Sequence, residues 1–387
     1  VNLSRVVQVY DLVQSPELKY PAFQPRQLPG SDAMFDLVSH GDVLLHHPYD
    51  AFTPVLELLR QAAEDPNVLA IKQTLYRTGK DSPLVEHLVQ AARNGKDVTV
   101  VVELLARFDE EANLGLAGRL QEAGVQVVYG VVGFKTHAKM LLIVRREGRR
   151  LRRYVHLGTG NYHPGNARGY TDLGLVTAHP GIGSDVHQIF MQLSGLAPAI
   201  ELNHLMQSPF TLHPGVLERI EREAGHARAG RPARIIAKLN AINEPQVIRA
   251  LYAASQAGVR IDLFVRGACT LRPQVPGVSD NIRVISVVGR FLEHHRVYWF
   301  ENDGRPELFG ASADWLERNL LRRVETAFPI LDPAVARRVR VEVLDNYLAD
   351  NVDAWELQAD GSYVRRTPAE GEPPHSAQAW LLERMCG

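Results

Sequence analysis

His137-Ala138-Lys139, followed by the loop Gly158-Thr159-Gly160-Asn161, decides the fold because a degenerate copy lies downstream: His294-His295-Arg296, followed by Ala311-Ser312-Ala313-Asp314. A histidine two residues before a cation, on alternate positions of a strand, would present an imidazole and a positive charge on one sheet face. Nucleophilic attack on phosphorus needs that pairing. Two such halves predict one site formed between them.

The repeat reaches upstream of both motifs. Val68-Leu69-Ala70-Ile71-Lys72 precedes a helical stretch closed by Asn94-Gly95 and then Val98 to Leu104. Arg234-Ile235-Ile236-Ala237-Lys238 precedes a helical stretch closed by Ala257-Gly258 and then Ile261 to Val265. In the same register Glu103 of one copy corresponds to Arg266 of the other. A period of about a hundred residues is far above solenoid repeats and indicates a duplicated domain.

Local signals agree. Thr53-Pro54 and Ser82-Pro83 read as N-cap hydroxyls with proline at the first helical position. Val55, Leu58, Leu59 and Ala62 form an apolar stripe, as do Leu84, Leu88 and Ala91. Asp109, Glu110 and Glu111 open a third helix, closed by Gly124. Short β-branched runs lie between the helices: Val98 to Leu104, Val125 to Tyr129, Ala138 to Val144, Val155 to Leu157 and Leu173 to Thr177. The second half repeats the plan at Ile235 to Leu239, Ile261 to Val265, Ile282 to Val287, Val297 to Phe300 and Val324 to Leu331. Alternating helix and strand predict an α/β fold of two tandem domains, each a mixed β-sheet flanked by helices. Residues 1–27 read as the end of an upstream helical domain and a proline-rich linker, 28–204 as the first domain, and 205–387 as the second with its C-terminal tail. Within the last, residues 359 to 376 read as a polar tail before a short helix.

Composition sets limits. The chain has 387 residues, 45% hydrophobic and 22% charged, with a net charge of -1, so any anion binding must be local and nucleic acid is not an expected partner. Cys269 and Cys386 are too few for a disulfide framework, and no apolar run is long enough to span a membrane. These features predict a cytoplasmic protein, with peripheral membrane association left open.

His-x-Lys with a downstream Gly-Ser/Thr-x-Asn resembles the phospholipase D superfamily, whose active site forms between two such repeats. Where that superfamily carries an aspartate beyond the lysine, this chain has Val144, and the second copy has Glu301 there and Arg296 for the lysine. Longer segments resemble a narrower family. Leu44-Leu45-His46-His47-Pro48-Tyr49, Ile71-Lys72-Gln73-Thr74-Leu75-Tyr76-Arg77, Val101 to Glu111, Lys135-Thr136-His137-Ala138-Lys139, Val265-Arg266-Gly267, Leu271-Arg272-Pro273, Leu292-Glu293-His294 and Ser312-Ala313-Asp314-Trp315 are similar, in order, to polyphosphate kinase of the phospholipase D-like type. The resemblance implies the two C-terminal catalytic domains of that enzyme, without its N-terminal and head domains.

It further implies an ATP:polyphosphate phosphotransferase, reversible and working through phosphohistidine, with ATP, ADP and polyphosphate as partners, Mg²⁺ as cofactor and a homo-oligomeric full-length protein. His137 matches the family's phosphorylated histidine and His294 its second essential histidine near the nucleotide. Tyr170 and Arg266 match nucleotide-contacting positions, and Arg77 and Arg107 match arginines at the magnesium-phosphate site. A guanidinium has donors and no lone pair, so these two are expected to hold phosphate oxygens, not the metal itself. Lys139, Asn161 and Arg296 are expected on the same phosphates.

Other residues carry plainer readings. The carboxylates at 109–111 suit a helix dipole, Arg145 to Arg153 a solvated hairpin tip at Glu147-Gly148, and Cys269 simple packing. For His46 and His47 the sequence leaves core and site equally open. The competing functions are a phospholipase D-like phosphodiesterase or nuclease with the same paired histidines, and a non-catalytic polyanion-binding module.

Overall fold

The computed structural model describes residues 6–76, 82–103, 110–131, 133–198 and 201–386. Eighteen strands lie among them. The first half supplies β1 (Val43–His47), β2 (Val68–Leu75), β3 (Asp97–Val102), β4 (Gln126–Val128), β5 (Lys135–Thr136), β6 (Lys139–Glu147), β7 (Arg150–Gly158) and β8 (Tyr170–Thr177). The second supplies β9 (Met206–Ser208), β10 (Arg234–Leu239), β11 (Arg260–Val265), β12 (Ile282–Val287), β13 (Leu292–Glu293), β14 (Arg296–Phe300), β15 (Glu307–Ala311), β16 (Arg323–Pro329), β17 (Ala354–Leu357) and β18 (Tyr363–Arg365).

The expected duplication is visible in the pairing. In the first sheet the order is β1-β8-β7-β6-β2-β3-β4, and in the second β18-β17-β12-β11-β10-β14-β15-β16-β5, with β9 also on β16. β2, β3 and β4 run parallel, as do β10, β11 and β12, while β6 and β14 return antiparallel, so each sheet is mixed. The first parallel step of each half, β2 to β3 and β10 to β11, is bridged by an amphipathic helix with proline in its first turn, Pro83–Arg93 and Pro245–Gln256. These helices bury Leu84, Leu88 and Ala91, and Val247, Leu251 and Ala254, against their sheets. Both stretches stop at a glycine in the left-handed region, Gly95 (φ 78°) and Gly258 (φ 98°), where a side chain would be strained. The fold is that of two tandem phospholipase D-like α/β domains.

Two exchanged strands tie the halves together. β5 leaves its own half and pairs parallel with the start of β16, Lys135 opposite Arg323 and Thr136 opposite Val324. β13 does the reverse, pairing parallel with the start of β8, Leu292 opposite Tyr170 and Glu293 opposite Thr171. The apolar layer between the sheets is therefore shared: Leu142, Leu157, Leu175 and Phe190 pack in one cluster with Ile236, Phe264, Trp299, Phe328 and Tyr347. Each outer helical layer has a separate cluster of its own. Among the described residues no helix is long and apolar enough to cross a membrane.

Several local expectations need correction. Thr53 is the first residue of its helix, not the cap, and its hydroxyl donates to Gln27 Oε1 at 2.8 Å. Ser82 precedes its helix but makes no capping bond. The segment 359–376 is not only a tail, since β18 lies within it and pairs with β17. β15 was hidden because Glu307-Leu308-Phe309-Gly310-Ala311 is too mixed to read as a strand, and the two-residue β5 and β13 have no periodicity to detect. The hairpin at Glu147-Gly148 is present between β6 and β7, and Arg145 there is paired with Asp65 and Glu147.

Candidate active site

The two histidines sit where the exchanged strands cross back. His137 and Ala138 form the crossing between β5 and β6, and both backbone N–H groups donate to Val324 O, at 2.8 and 3.0 Å. His294 and His295 form the matching crossing between β13 and β14, and His294 N donates to Thr171 Oγ1 at 3.0 Å. The strand expected from Ala138 begins one residue later. His137 is therefore aimed by the crossing and not by strand alternation with Lys139.

Each imidazole is held by a carboxylate of the opposite half. Glu325, fully buried on β16, accepts from His137 Nδ1 at 2.8 Å, and its other donors are Ser312 Oγ at 2.6 Å and Asn319 Nδ2 at 2.5 Å. Asp172, on β8, accepts from His294 Nδ1 at 2.8 Å and from Thr159 Oγ1 at 2.7 Å. Ser312 and Thr159 are the hydroxyls of the two small-residue loops, so each loop steadies the carboxylate that steadies the other half's histidine. Gly160 is required for this: a β-carbon there would stand 2.1 Å from Asp172 Oδ2.

Electrostatics give the two rings a common protonation state. Burial lowers the His137 pKa to about 4, only partly offset by Glu325. His294 is lowered too, again by burial, with Asp172 opposing. Burial alone would raise the two carboxylates, but the histidines and hydrogen bonds bring Glu325 and Asp172 below their ordinary values. A neutral imidazole that donates from Nδ1 carries its lone pair on Nε2. For His137 that nitrogen has no hydrogen-bond partner among the described residues, and the side chain is 13% exposed. For His294, Nε2 is met by Arg296 Nη1 at 3.3 Å.

The cations are also fixed. Lys139 is buried, bonds His137 O and lies 5.5 Å from the Tyr76 ring. Burial lowers its pKa to about 7, with Arg296 adding to that and Glu325 opposing. Arg296 makes a forked pair with Asp314, at 3.2 and 3.1 Å, and reaches Thr159 O at 3.2 Å. Asp314 also accepts from Asn240 N, and Asn240 Oδ1 accepts from Arg266 at 3.1 Å, so Arg266 stands at the rim on the side of His294. Tyr170 stacks obliquely on His294 with 5.3 Å between ring centres.

The geometry thus brings together His137, His294, Lys139, Arg296, Tyr170 and Arg266. Asn161, Asp314's counterpart, lies beside Asp172 in a small cavity, where its Oδ1 is unmatched among the described residues. Arg77, Arg107 and Asp109 fall outside the described residues, as do the side chains of Glu110 and Glu111. His46 and His47 are buried behind the site, His46 on Glu342 at 2.9 Å and His47 opposite Asp172 in the sheet. The partners overlooked in the sequence are Glu325 and Asp172. A signal existed, since each lies thirteen residues beyond its loop hydroxyl.

Among the described residues no three His, Cys, Asp or Glu side chains form a metal cage. The site's carboxylates are already engaged, Asp314 by the Arg296 fork and Glu325 and Asp172 by imidazole, hydroxyl and amide donors, so they do not form a ready cage for Mg²⁺.

Comparison with known proteins bears on the same residues. Residues 33–199 match the family described as polyphosphate kinase C-terminal domain 1, and residues 205–378 that described as polyphosphate kinase C-terminal domain 2. A polyphosphate kinase of Xylella fastidiosa is 72% identical over 385 residues, covering all of this chain and 55% of its own length. One from Pseudomonas aeruginosa is 58% identical over 388 residues, covering all of this chain and 56% of its own. The chain thus spans about half the length of the curated relatives it matches. The crystal structure of polyphosphate kinase from Porphyromonas gingivalis superposes with a TM-score of 0.89 at 35% identity, over 98% of this chain and 58% of that one. Phosphatidylserine synthase of Haemophilus influenzae shares the fold, with a TM-score of 0.54 at 12% identity over 91% of this chain.

Proposed function

This chain belongs to the polyphosphate kinase family, as its two C-terminal domains, and on that premise we propose that it carries the phosphotransfer site of an ATP:polyphosphate phosphotransferase. One observation bears most of the weight: Glu325 grips His137 at Nδ1 and leaves Nε2 without a hydrogen-bond partner among the described residues, while Lys139 bonds the His137 carbonyl and burial lowers the imidazole's pKa to about 4, favouring the neutral ring. That is the state a nitrogen nucleophile needs.

In the proposed reaction His137 Nε2 bonds to the γ-phosphorus of ATP as the bond from that phosphorus to the ADP oxygen breaks. Lys139 and Arg296 neutralise the equatorial oxygens. A terminal oxygen of polyphosphate then attacks the phosphohistidine, lengthening the chain by one unit and freeing the imidazole. The same groups serve the reverse reaction. Mg²⁺ is read as arriving on the nucleotide, as part of the substrate, where it neutralises phosphate charge. Tyr170 and Arg266 lie on the His294 side and suit the nucleotide; Arg77 and Arg107 are proposed to hold phosphate oxygens.

The role of His294 needs refinement. Burial lowers its pKa and so favours the neutral ring, which makes it a poor acid before substrate binds. A bound polyanion favours the charged forms of both His294 and Lys139, so protonation follows substrate binding. The proton for the departing ADP oxygen would then come from His294 Nε2, after Arg296 turns from it to phosphate.

Incubation with γ-labelled ATP tests the function. Acid-labile, base-stable label on the protein, chased into polyphosphate on adding primer, is the expected result. Cleavage of phosphodiesters without protein label would favour the hydrolase instead, and binding with neither would favour the polyanion module.

The Lys139 pKa adds a pH dependence. A cation titrating near 7 is protonated below that value and loses its charge above it, so kcat/KM should fall by roughly tenfold per unit on the alkaline side. Lys139→Arg should lower the maximum but abolish that limb, because a guanidinium does not deprotonate there. An unchanged alkaline limb in the variant would assign it to another group.

A further inference from the structure

A second cationic opening lies away from the histidines, where the linker before β1 meets the two C-terminal helices. It is a cavity of about 420 Å³ whose wall includes Arg26, Arg337, Arg338 and Arg384, with Trp380 and a single acid, Glu342. Two of the guanidiniums are already engaged. Arg26 and Arg338 each meet Asp50 at 2.7 Å, and Arg338 also meets Glu342 at 2.7 Å. Arg337 and Arg384 have no carboxylate partner among the described residues, so four guanidiniums face two carboxylates and the opening keeps an excess positive charge. In a chain of net charge -1, that surplus is local.

We propose that this opening is a second phosphate site, taking a short condensed phosphate of two or three units. The volume exceeds what a single phosphate needs, and free guanidinium forks match phosphate oxygens two at a time. A nucleotide fits less well. Trp380, the aromatic residue of the wall, has its ring covered by Arg384 at 4.6 Å and approached by His375 at 6.4 Å, which leaves little face for a base.

The wall is mechanically close to the catalytic crossing. Glu342 sits in a π-helical turn, Arg340–Asp345, a device that commonly marks functional positions. It bonds His46 at 2.9 Å; the His46 ring packs on His295 at 5.7 Å; and His295 bonds Thr171, which also receives the His294 backbone N–H. Occupancy that draws Arg338 from Glu342 would reach His294 through those four contacts. If the proposed reaction holds, the occupant is chemically the product, so the site would sense product.

Titration of the whole chain with tripolyphosphate decides the matter without relying on activity. The expected result is two bound chains per protein, one of them reported by Trp380 fluorescence and by shifts of the His46 and His295 ring resonances. Arg337→Glu with Arg384→Glu should weaken that one event by at least about tenfold while leaving the other, because both guanidiniums without a carboxylate partner would become like charges facing the phosphate. Trp380→Phe should silence the fluorescence but keep the stoichiometry, which separates the reporter from the site. A stoichiometry of one in the wild type, or two unchanged events in the double variant, would overturn the proposal. Trp380 quenching by ATP and not by tripolyphosphate would overturn the choice of ligand.

Discussion

His137→Ala should leave the protein folded and remove phosphohistidine altogether, with turnover down on the order of 10⁵-fold or more, the scale seen when a nucleophile is deleted. No second imidazole can replace it. His294 is the other ring at the site, but its Nε2 faces Arg296 at 3.3 Å and its neighbours are Tyr170 and Asp172. Quantifying acid-labile label after rapid quenching checks this. Wild-type label in the alanine variant would move the nucleophile elsewhere and dissolve the reading of the site. His294→Ala is the matched control, expected to keep some label while slowing its appearance.

Glu325→Gln should be nearly as damaging, by about 10³ to 10⁴-fold in the phosphorylation step, although the residue touches no substrate. Three donors converge on the carboxylate, from His137, Ser312 and Asn319. A glutamine offers one oxygen and adds two N–H donors where only acceptors fit, so His137 would turn its proton to Nε2 and lose the nucleophilic lone pair. Loss of the orienting carboxylate in a hydrolase triad, which leaves the wrong tautomer, sets the expected magnitude. Nitrogen chemical shifts of the His137 ring would show the tautomer directly. An Nδ1–H ring together with a phosphorylation rate within tenfold of wild type would show that Glu325 serves stability alone. The buried hydrogen bonds to Glu325 also matter for folding, so the thermal midpoint should be read alongside, with a loss of about 1 to 3 kcal/mol for each of Asn319 and Ser312 left unsatisfied.

Much of this was legible in the chain. The duplicated α/β plan follows from helix stops at Gly95 and Gly258 and from β-branched runs in matching register, because strand and helix periods are local properties. The histidine proposed as nucleophile and the cations proposed beside it were legible too, since a short motif carries them. The carboxylates were not. Glu325 is far from His137 in sequence, and what joins them is a two-residue strand that crosses into the other sheet, too short to leave a pattern. Only the equal spacing from Thr159 to Asp172 and from Ser312 to Glu325 records the arrangement. The Thr53 cap failed for a similar reason, because a tertiary partner, Gln27, took the hydroxyl.

The exchange of β5 and β13 makes docking of the halves a condition written into each histidine's chemistry. A half standing alone would keep its motif, its lysine or arginine and most of its sheet, yet its imidazole would lack the one group that selects a tautomer. If the proposed phosphotransfer holds, it would be suppressed wherever the halves are apart, during synthesis or after partial unfolding, and the site would behave as a lock that needs two keys.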